Sequence, residues 1–214
     1  MITDVFFDLD GTLTDPMTGI TKSVQYALKS MGIEVEDNRE LAFFIGPPLG
    51  ETFMKYYGFS EQEAQWAVEK YREYFAPKGI FENEVYPGIP QMLESLKNQG
   101  KRLFIATGKP TVFAQKIARH FHLDKYFEDI CGIELSELRK SKTETLSEIM
   151  RDFSVDKATS AMVGDRIFDI EAGKANGVVT VGVTYGFAEE GELEKGADYI
   201  VNNAAELENL LMKI

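Results

Sequence analysis

Two carboxylates stand two residues apart near the start of the chain, in Asp8-Leu9-Asp10-Gly11-Thr12-Leu13, directly after the apolar run Val5-Phe6-Phe7. At a strand end such a pair can share a hard cation, or divide the work of nucleophile and acid/base. Gly11 allows a sharp turn that a Cβ would oppose. An isolated D-x-D also makes an ordinary turn with solvated carboxylates. A calcium loop is excluded, because its sixth and twelfth positions counted from Asp8 are Leu13 and Gly19, where glycine and glutamate are required. Thr107-Gly108-Lys109 follows a second apolar run, Leu103-Phe104-Ile105-Ala106. A hydroxyl and backbone N–H groups at a strand-to-helix turn suit a phosphate oxygen, although Thr before Gly also makes common caps. Gly164-Asp165-Arg166-Ile167-Phe168-Asp169 follows a third run, Ala161-Met162-Val163. Carboxylates four residues apart there fall on one face of a helix start. Parallel strands bring Asp8, Asp10, Thr107, Asp165 and Asp169 to one edge. Four gathered carboxylates repel one another unless a divalent cation joins them, and oxygen donors without nearby Cys or His favour Mg²⁺ over zinc. His120 and His122, at a helix end, are left outside the chemistry.

The elements that must position these residues alternate between strand and helix. A helix over about 90–99 ends at Gly100, and Pro110 opens another that runs to about His120. The stretch 127–131 reads as a strand. Ser141 and Glu144 are spaced as a capping box for a helix over 142–152. Val178 to Val183 and 199–201 read as strands, and a last helix starts near 204. This order predicts an α/β chain: a Rossmann-like parallel sheet core flanked by helices. Helical spacing over 18–76 interrupts it. Ile20, Val24, Ala27, Leu28 and Met31 share a face, Gly46-Pro47-Pro48 breaks the helix, and Ser60 with Glu63 opens the next. The expectation is a small α-helical bundle cap inserted at 16–83, with 1–15 and 84–214 forming the core. Residues 43–86 hold 12 of the 25 aromatics, which a small bundle needs as core.

Composition narrows the partners. In 214 residues, 23 Lys/Arg against 35 Asp/Glu give a net charge of −12. Such a surface repels nucleic-acid phosphates and anionic lipid, so neither nucleic acid nor membrane is expected as partner. No apolar run approaches the roughly 18 residues of a membrane span. The start lacks a signal-like segment, and the single cysteine, Cys131, excludes an internal disulfide framework. These features predict a cytoplasmic chain, monomer or weak homodimer, with Cys131 reduced.

Taken together, Asp8-x-Asp10-Gly11-Thr12, then Thr107, a lysine, and Gly164-Asp165-x-x-x-Asp169 resemble the haloacid dehalogenase superfamily of phosphohydrolases. The helical block resembles that superfamily's α-helical cap. Ile45-Gly46-Pro47-Pro48-Leu49-Gly50 is similar to the cap of its phosphoglycolate phosphatase and 5′-nucleotidase-like members, which points to Gly46 and Pro47 as substrate-binding. The resemblance implies Asp8 as nucleophile and Asp10 as acid/base. It implies Thr107 with Gly108 on the transferring phosphoryl group. It implies Mg²⁺ held by Asp8, the Asp10 backbone carbonyl, Asp165 and Asp169. The family's lysine is assigned to Lys142, at the capped helix start, with Lys140 in reserve. Arg166 stands where a smaller residue is frequent and is expected to shape the rim. The implied activity is hydrolysis of a small phosphate monoester, a nucleoside 5′-monophosphate or a phosphoglycolate-like metabolite. A phosphomutase resembling β-phosphoglucomutase is the alternative. A non-enzymatic binding protein is disfavoured because every motif residue is present. From 16 to 84, seven Lys/Arg against eleven Asp/Glu leave no basic platform for a second phosphate.

Overall fold

The structure, a computed structural model, describes residues 1–135 and 141–214. Six strands form one parallel sheet: β1 (Asp4–Phe7), β2 (Arg102–Pro110), β3 (Asp129–Ile133), β4 (Ser160–Gly164), β5 (Val179–Val183) and β6 (Tyr199–Val201), in the order β3-β2-β1-β4-β5-β6. All four residues of β1 are buried. A central parallel strand covered on both faces needs such a continuous run rather than alternation. Phe6, Phe104, Ala106 and Met162 pack with Leu146 and Ile149 of α6 (Lys142–Asp152) and Ala172 of α7 (Ile167–Asn176). Right-handed crossovers set α4 (Ile89–Asn98) and α5 (Thr111–His120) on the opposite face, and α8 (Ala204–Lys213) packs on α4. Truncating a fully buried side chain such as Phe6 costs about 3–5 kcal/mol. The expected α/β sheet is present.

The order of strands reverses at β1, whose neighbours are β2 and β4. Crevices at such a point, beyond the carboxyl ends of the strands, bind ligands. Phe7 is in register with Ile105 and Val163, so Asp8, Thr107 and Asp165 emerge at the same edge. α5 ends at the opposite edge, taking His120 and His122 there.

The chain divides into two compact units, Met1–Asp15 with Val85–Ile214, and Pro16–Glu84. The second holds α1 (Met17–Ser30), a 3₁₀ segment (Asn38–Phe44), α2 (Leu49–Tyr57) and α3 (Glu61–Phe75). Its interior contains Val24, Leu28, Leu41, Phe44, Phe53, Tyr71 and Phe75. Phe44 lies 4.7 Å from Phe53 ring to ring, and Phe53 stacks on Phe59 at 5.8 Å. The Ser60–Glu63 capping box opens α3. Gly46 and Pro47 lie in this unit, in the bend before α2, with Gly46 at φ 104°.

One strand is displaced from its expected place. Strand character was expected over 127–131, and β3 spans Asp129–Ile133. A 3₁₀ turn, Asp124–Tyr126, takes the Phe127 N–H, and the Phe127 ring packs edge-on against Phe7 at 6.3 Å. No described helix is long and apolar enough to cross a membrane.

Candidate active site

Asp8 follows the last residue of β1, and its N–H bonds the Val163 carbonyl at 2.9 Å, which extends the pairing to β4. The chain then turns back: Leu13 and Thr14 N–H groups both donate to the Leu9 carbonyl. Gly11 sits inside that turn at φ 83°, where a Cβ would lie 2.1 Å from Asp165 Oδ2. Only glycine tolerates both the backbone angle and the crowding. A Cβ on Gly164 would likewise fall 2.0 Å from Asp169 Cγ.

The side chains converge on one cation. Lys142, the first residue of α6, places Nζ 2.9 Å from Asp8 Oδ2 and 2.5 Å from Asp169 Oδ1. Its position follows from the Ser141–Glu144 capping box, which fixes where α6 begins. Burial works against the lysine's charge, but Asp169 and Asp8 outweigh it and raise its pKa. Asp169 Oδ2 accepts the Arg166 N–H at 3.0 Å. Asp165 accepts from Thr12 Oγ1 at 3.2 Å and from the Phe187 N–H at 2.8 Å. Burial, together with the charges of Asp169 and Asp8, pushes the Asp165 carboxyl up to about 8. Burial does the same to Asp169, up to about 6, against the pull of Lys142.

These groups fit a small hard cation. One carboxylate oxygen from each of Asp8, Asp165 and Asp169 lies within 4.8 Å of the others. Asp8 Oδ1 is buried without a hydrogen-bond partner among the described residues. A buried, unsatisfied carboxylate oxygen is costly on its own, and a divalent ion would relieve it. The donors are all oxygen, the set Mg²⁺ prefers.

Sequence spacing brought four carboxylates together; three gather. The Asp10 carboxylate stands apart because Lys109 Nζ holds its Oδ2 at 2.6 Å. Its other oxygen, Oδ1, is buried without a hydrogen-bond partner among the described residues. Burial raises the Asp10 pKa more than Lys109 lowers it. A second correction concerns Asp165, which precedes the helix instead of sharing its face: Arg166 is the N-cap and α7 starts at Ile167. The turn, not helical spacing, sets it beside Asp169. Thr107 is buried, and its hydroxyl accepts the Lys109 N–H at 3.2 Å. A Cβ on Gly108 would lie 3.9 Å from Lys142 Cε, so that turn borders the lysine. Lys140 falls outside the described residues.

Arg166, expected at the rim, is buried against Glu192. Lys109 was named in the Thr107 motif but given no role, and Glu192, Tyr185 and Phe187 carried no reading from sequence. Tyr185 donates its hydroxyl to the Thr12 carbonyl at 3.0 Å. Lys109 carried one signal, a lysine beside a strand-end Thr-Gly. Phe187 acts through its backbone, which leaves no trace in residue type.

Comparison with known proteins identifies the family of the chain. A family model described as haloacid dehalogenase-like hydrolase matches residues 5–183. The chain is 47% identical over 190 residues to a Pseudomonas aeruginosa protein named 5′-nucleotidase, covering 89% of this chain and 86% of that one. It is 34% identical over 206 residues to the tyrosine-protein kinase PtkA of Mycobacterium tuberculosis, covering 96% of this chain and 70% of that one. The crystal structure of a predicted phosphatase from Clostridium acetobutylicum superimposes with a TM-score of 0.96 at 44% identity, over 100% of both chains.

Proposed function

Since the chain belongs to the haloacid dehalogenase-like hydrolases, we propose that it is a Mg²⁺-dependent phosphatase of small phosphate monoesters, working through a phosphoryl group carried on Asp8. The observation that carries this reading is the state of Asp8: Lys142 holds one oxygen at 2.9 Å, and the other is buried without a hydrogen-bond partner among the described residues. An attacking carboxylate needs a free lone pair and a nearby positive charge.

Asp8, Asp165, Asp169 and the backbone carbonyl of Asp10 would hold the metal. When bound, Mg²⁺ offsets charge on the phosphoryl oxygens and polarises the phosphorus centre. The chain's own residues do the rest. Lys142 neutralises part of the phosphate dianion, whose repulsion otherwise keeps a carboxylate away. The Thr107 hydroxyl and the Gly108 N–H bind a phosphoryl oxygen. Asp8 attacks in line as the ester oxygen leaves, giving an aspartyl-phosphate. Asp10, its pKa raised by burial of its carboxyl, protonates the leaving oxygen and then takes the proton of the water that hydrolyses the acyl phosphate. Release of Lys109 from Asp10 frees that carboxyl for the leaving group.

A nucleoside 5′-monophosphate is the favoured substrate class, supported by the name of the relative that is 47% identical. The same relative favours phosphate release over the transfer that the mycobacterial name implies. The test is phosphate release from a panel of nucleoside monophosphates, phosphoglycolate and sugar phosphates, with and without Mg²⁺. Turnover with Mg²⁺, highest on nucleotides, is expected. Full turnover in excess EDTA refutes the metal assignment, and a preference for phosphoglycolate refutes the substrate class.

A further inference from the structure

The N-cap of α7 is Arg166, which has no acceptor to offer the free N–H groups of the first turn. The acceptor comes from far along the chain. Glu192, in the segment between β5 and β6, accepts the Ile167 N–H on Oε1 at 2.6 Å and the Glu189 N–H on Oε2 at 2.7 Å. Arg166 Nε donates to the same two oxygens at 3.0 and 3.2 Å. Arg166 and Glu192 are both buried, at 8% and 5% exposure. Burial opposes the Glu192 charge, yet the N–H groups of Ile167 and Glu189, with Arg166, lower its pKa.

This segment grips the Asp165–Asp169 turn twice. At one end the Phe187 N–H holds Asp165 Oδ2 at 2.8 Å. At the other, Glu192 holds the first residue of α7. Arg166 joins the two systems, because its N–H binds Asp169 Oδ2 at 3.0 Å while its side chain binds Glu192. Groups that orient metal ligands from behind typically change metal affinity roughly 10–100-fold when removed.

We propose that Glu192 is a positioning residue for Asp165 and Asp169: it caps α7 from outside the helix and, through Arg166, fixes the turn that sets both carboxylates. This rests on the metal site of the function proposed above. A buried ion pair serving stability alone is the competing account, so the readout must separate the two.

The experiment titrates Mg²⁺ calorimetrically into the metal-stripped full chain, without substrate. Glu192→Ala is expected to weaken Mg²⁺ binding roughly 10–100-fold. Asp198→Asn serves as the control for general destabilisation. Asp198 binds Lys174 and Thr180, none of them at the carboxylate cluster, so that variant should bind Mg²⁺ like the native chain. Should Glu192→Ala fail to fold, Glu192→Gln replaces it. That variant keeps an oxygen for the Ile167 N–H but gives up the charge facing Arg166, and it should still weaken binding by about fivefold or more. Binding within about twofold of native in the folded Glu192 variant overturns the inference. So does an equal loss in Asp198→Asn. No Mg²⁺ binding by the native chain overturns the proposed function, and this inference with it.

Discussion

Replacing Asp165 with Asn should stabilise the metal-free protein while abolishing its use of metal. Asp165 is fully buried beside Asp8 and Asp169, and the Lys142 ammonium pairs with those two neighbours. Its carboxyl is pushed from 3.8 up to about 8. The sign follows from linkage. Between those values the unfolded chain releases a proton that the folded chain keeps, so stability falls as pH rises. At about 1.4 kcal/mol per unit, the interval from 3.8 to pH 7 amounts to about 4 kcal/mol. Asp165 shares its repulsion with Asp169, and relief at one is partly taken up by the other, so the expected gain is about 2–4 kcal/mol. An amide fits the same partners. Its oxygen can accept the Phe187 N–H, and its NH₂ can donate to Thr12 Oγ1, where a hydroxyl now donates. For a chain of this length the gain corresponds to a rise in melting temperature of roughly 5–15 °C. The assay is thermal unfolding of native and Asp165→Asn proteins in EDTA at pH 7 and at pH 4. The gap should be large at pH 7 and nearly absent at pH 4. Added Mg²⁺ should raise the native melting temperature and leave the variant unchanged. A variant less stable than native at pH 7 in EDTA, or a gap indifferent to pH, refutes the reasoning.

Lys142→Ala has the opposite stability effect: it leaves Asp8 and Asp169 without their shared cation. In EDTA at pH 7 it should lose about 3–5 kcal/mol, with part recovered at pH 5 as Asp169 takes up a proton, and turnover with Mg²⁺ should fall about 10²–10³-fold; an unchanged melting curve counts against the ion-pair account. Asp10→Asn should cut hydrolysis of a nucleoside monophosphate about 10²–10⁴-fold but spare the first step on p-nitrophenyl phosphate, whose leaving group needs no proton. Rapid mixing at comparable concentrations of enzyme and ester should show a burst of p-nitrophenolate before a slow steady rate, and equal losses on both esters contradict a leaving-group acid.

The residues legible in the sequence are those whose signal is local. Asp8, Thr107 and Asp165 each follow a short apolar run, and the parallel α/β reading puts the ends of such runs at one edge. Lys142 was legible because a capping box marks the start of its helix within four residues. Long-range partners were not legible. Thr12 reaches Asp165 across 153 positions, and Glu192 reaches Arg166 across 26. Nothing in the composition near Glu192 distinguishes it from Glu189 or Glu190. The offset at β3 has a similar origin: Phe127 has the residue type of a strand, but a preceding 3₁₀ turn takes its N–H. Even the Asp165–Asp169 pairing was reached by helical spacing, whereas the geometry belongs to a turn.

Two carboxylates so close in sequence can be given different work only if their surroundings differ. Each of Asp8 and Asp10 has one oxygen on a lysine and one buried oxygen without a hydrogen-bond partner among the described residues. The lysines are not equivalent. Lys142 also binds Asp169, so its charge is divided between carboxylates, one of which is Asp8 in a group of three that can ligate a metal. Asp10 lies outside that group, facing Lys109 from the next strand. Lys142 supplies Asp8 with a positive charge, while burial holds the Asp10 pKa above its ordinary value. A raised pKa on one carboxyl of a neighbouring pair suits the proposed division into nucleophile and acid. Here the two carboxylates, each bound by a lysine, differ in what else surrounds them: Asp8 belongs to the group of three that can ligate a metal, and Asp10 does not but has its pKa raised by burial against the pull of Lys109, so the proposed roles follow from those surroundings.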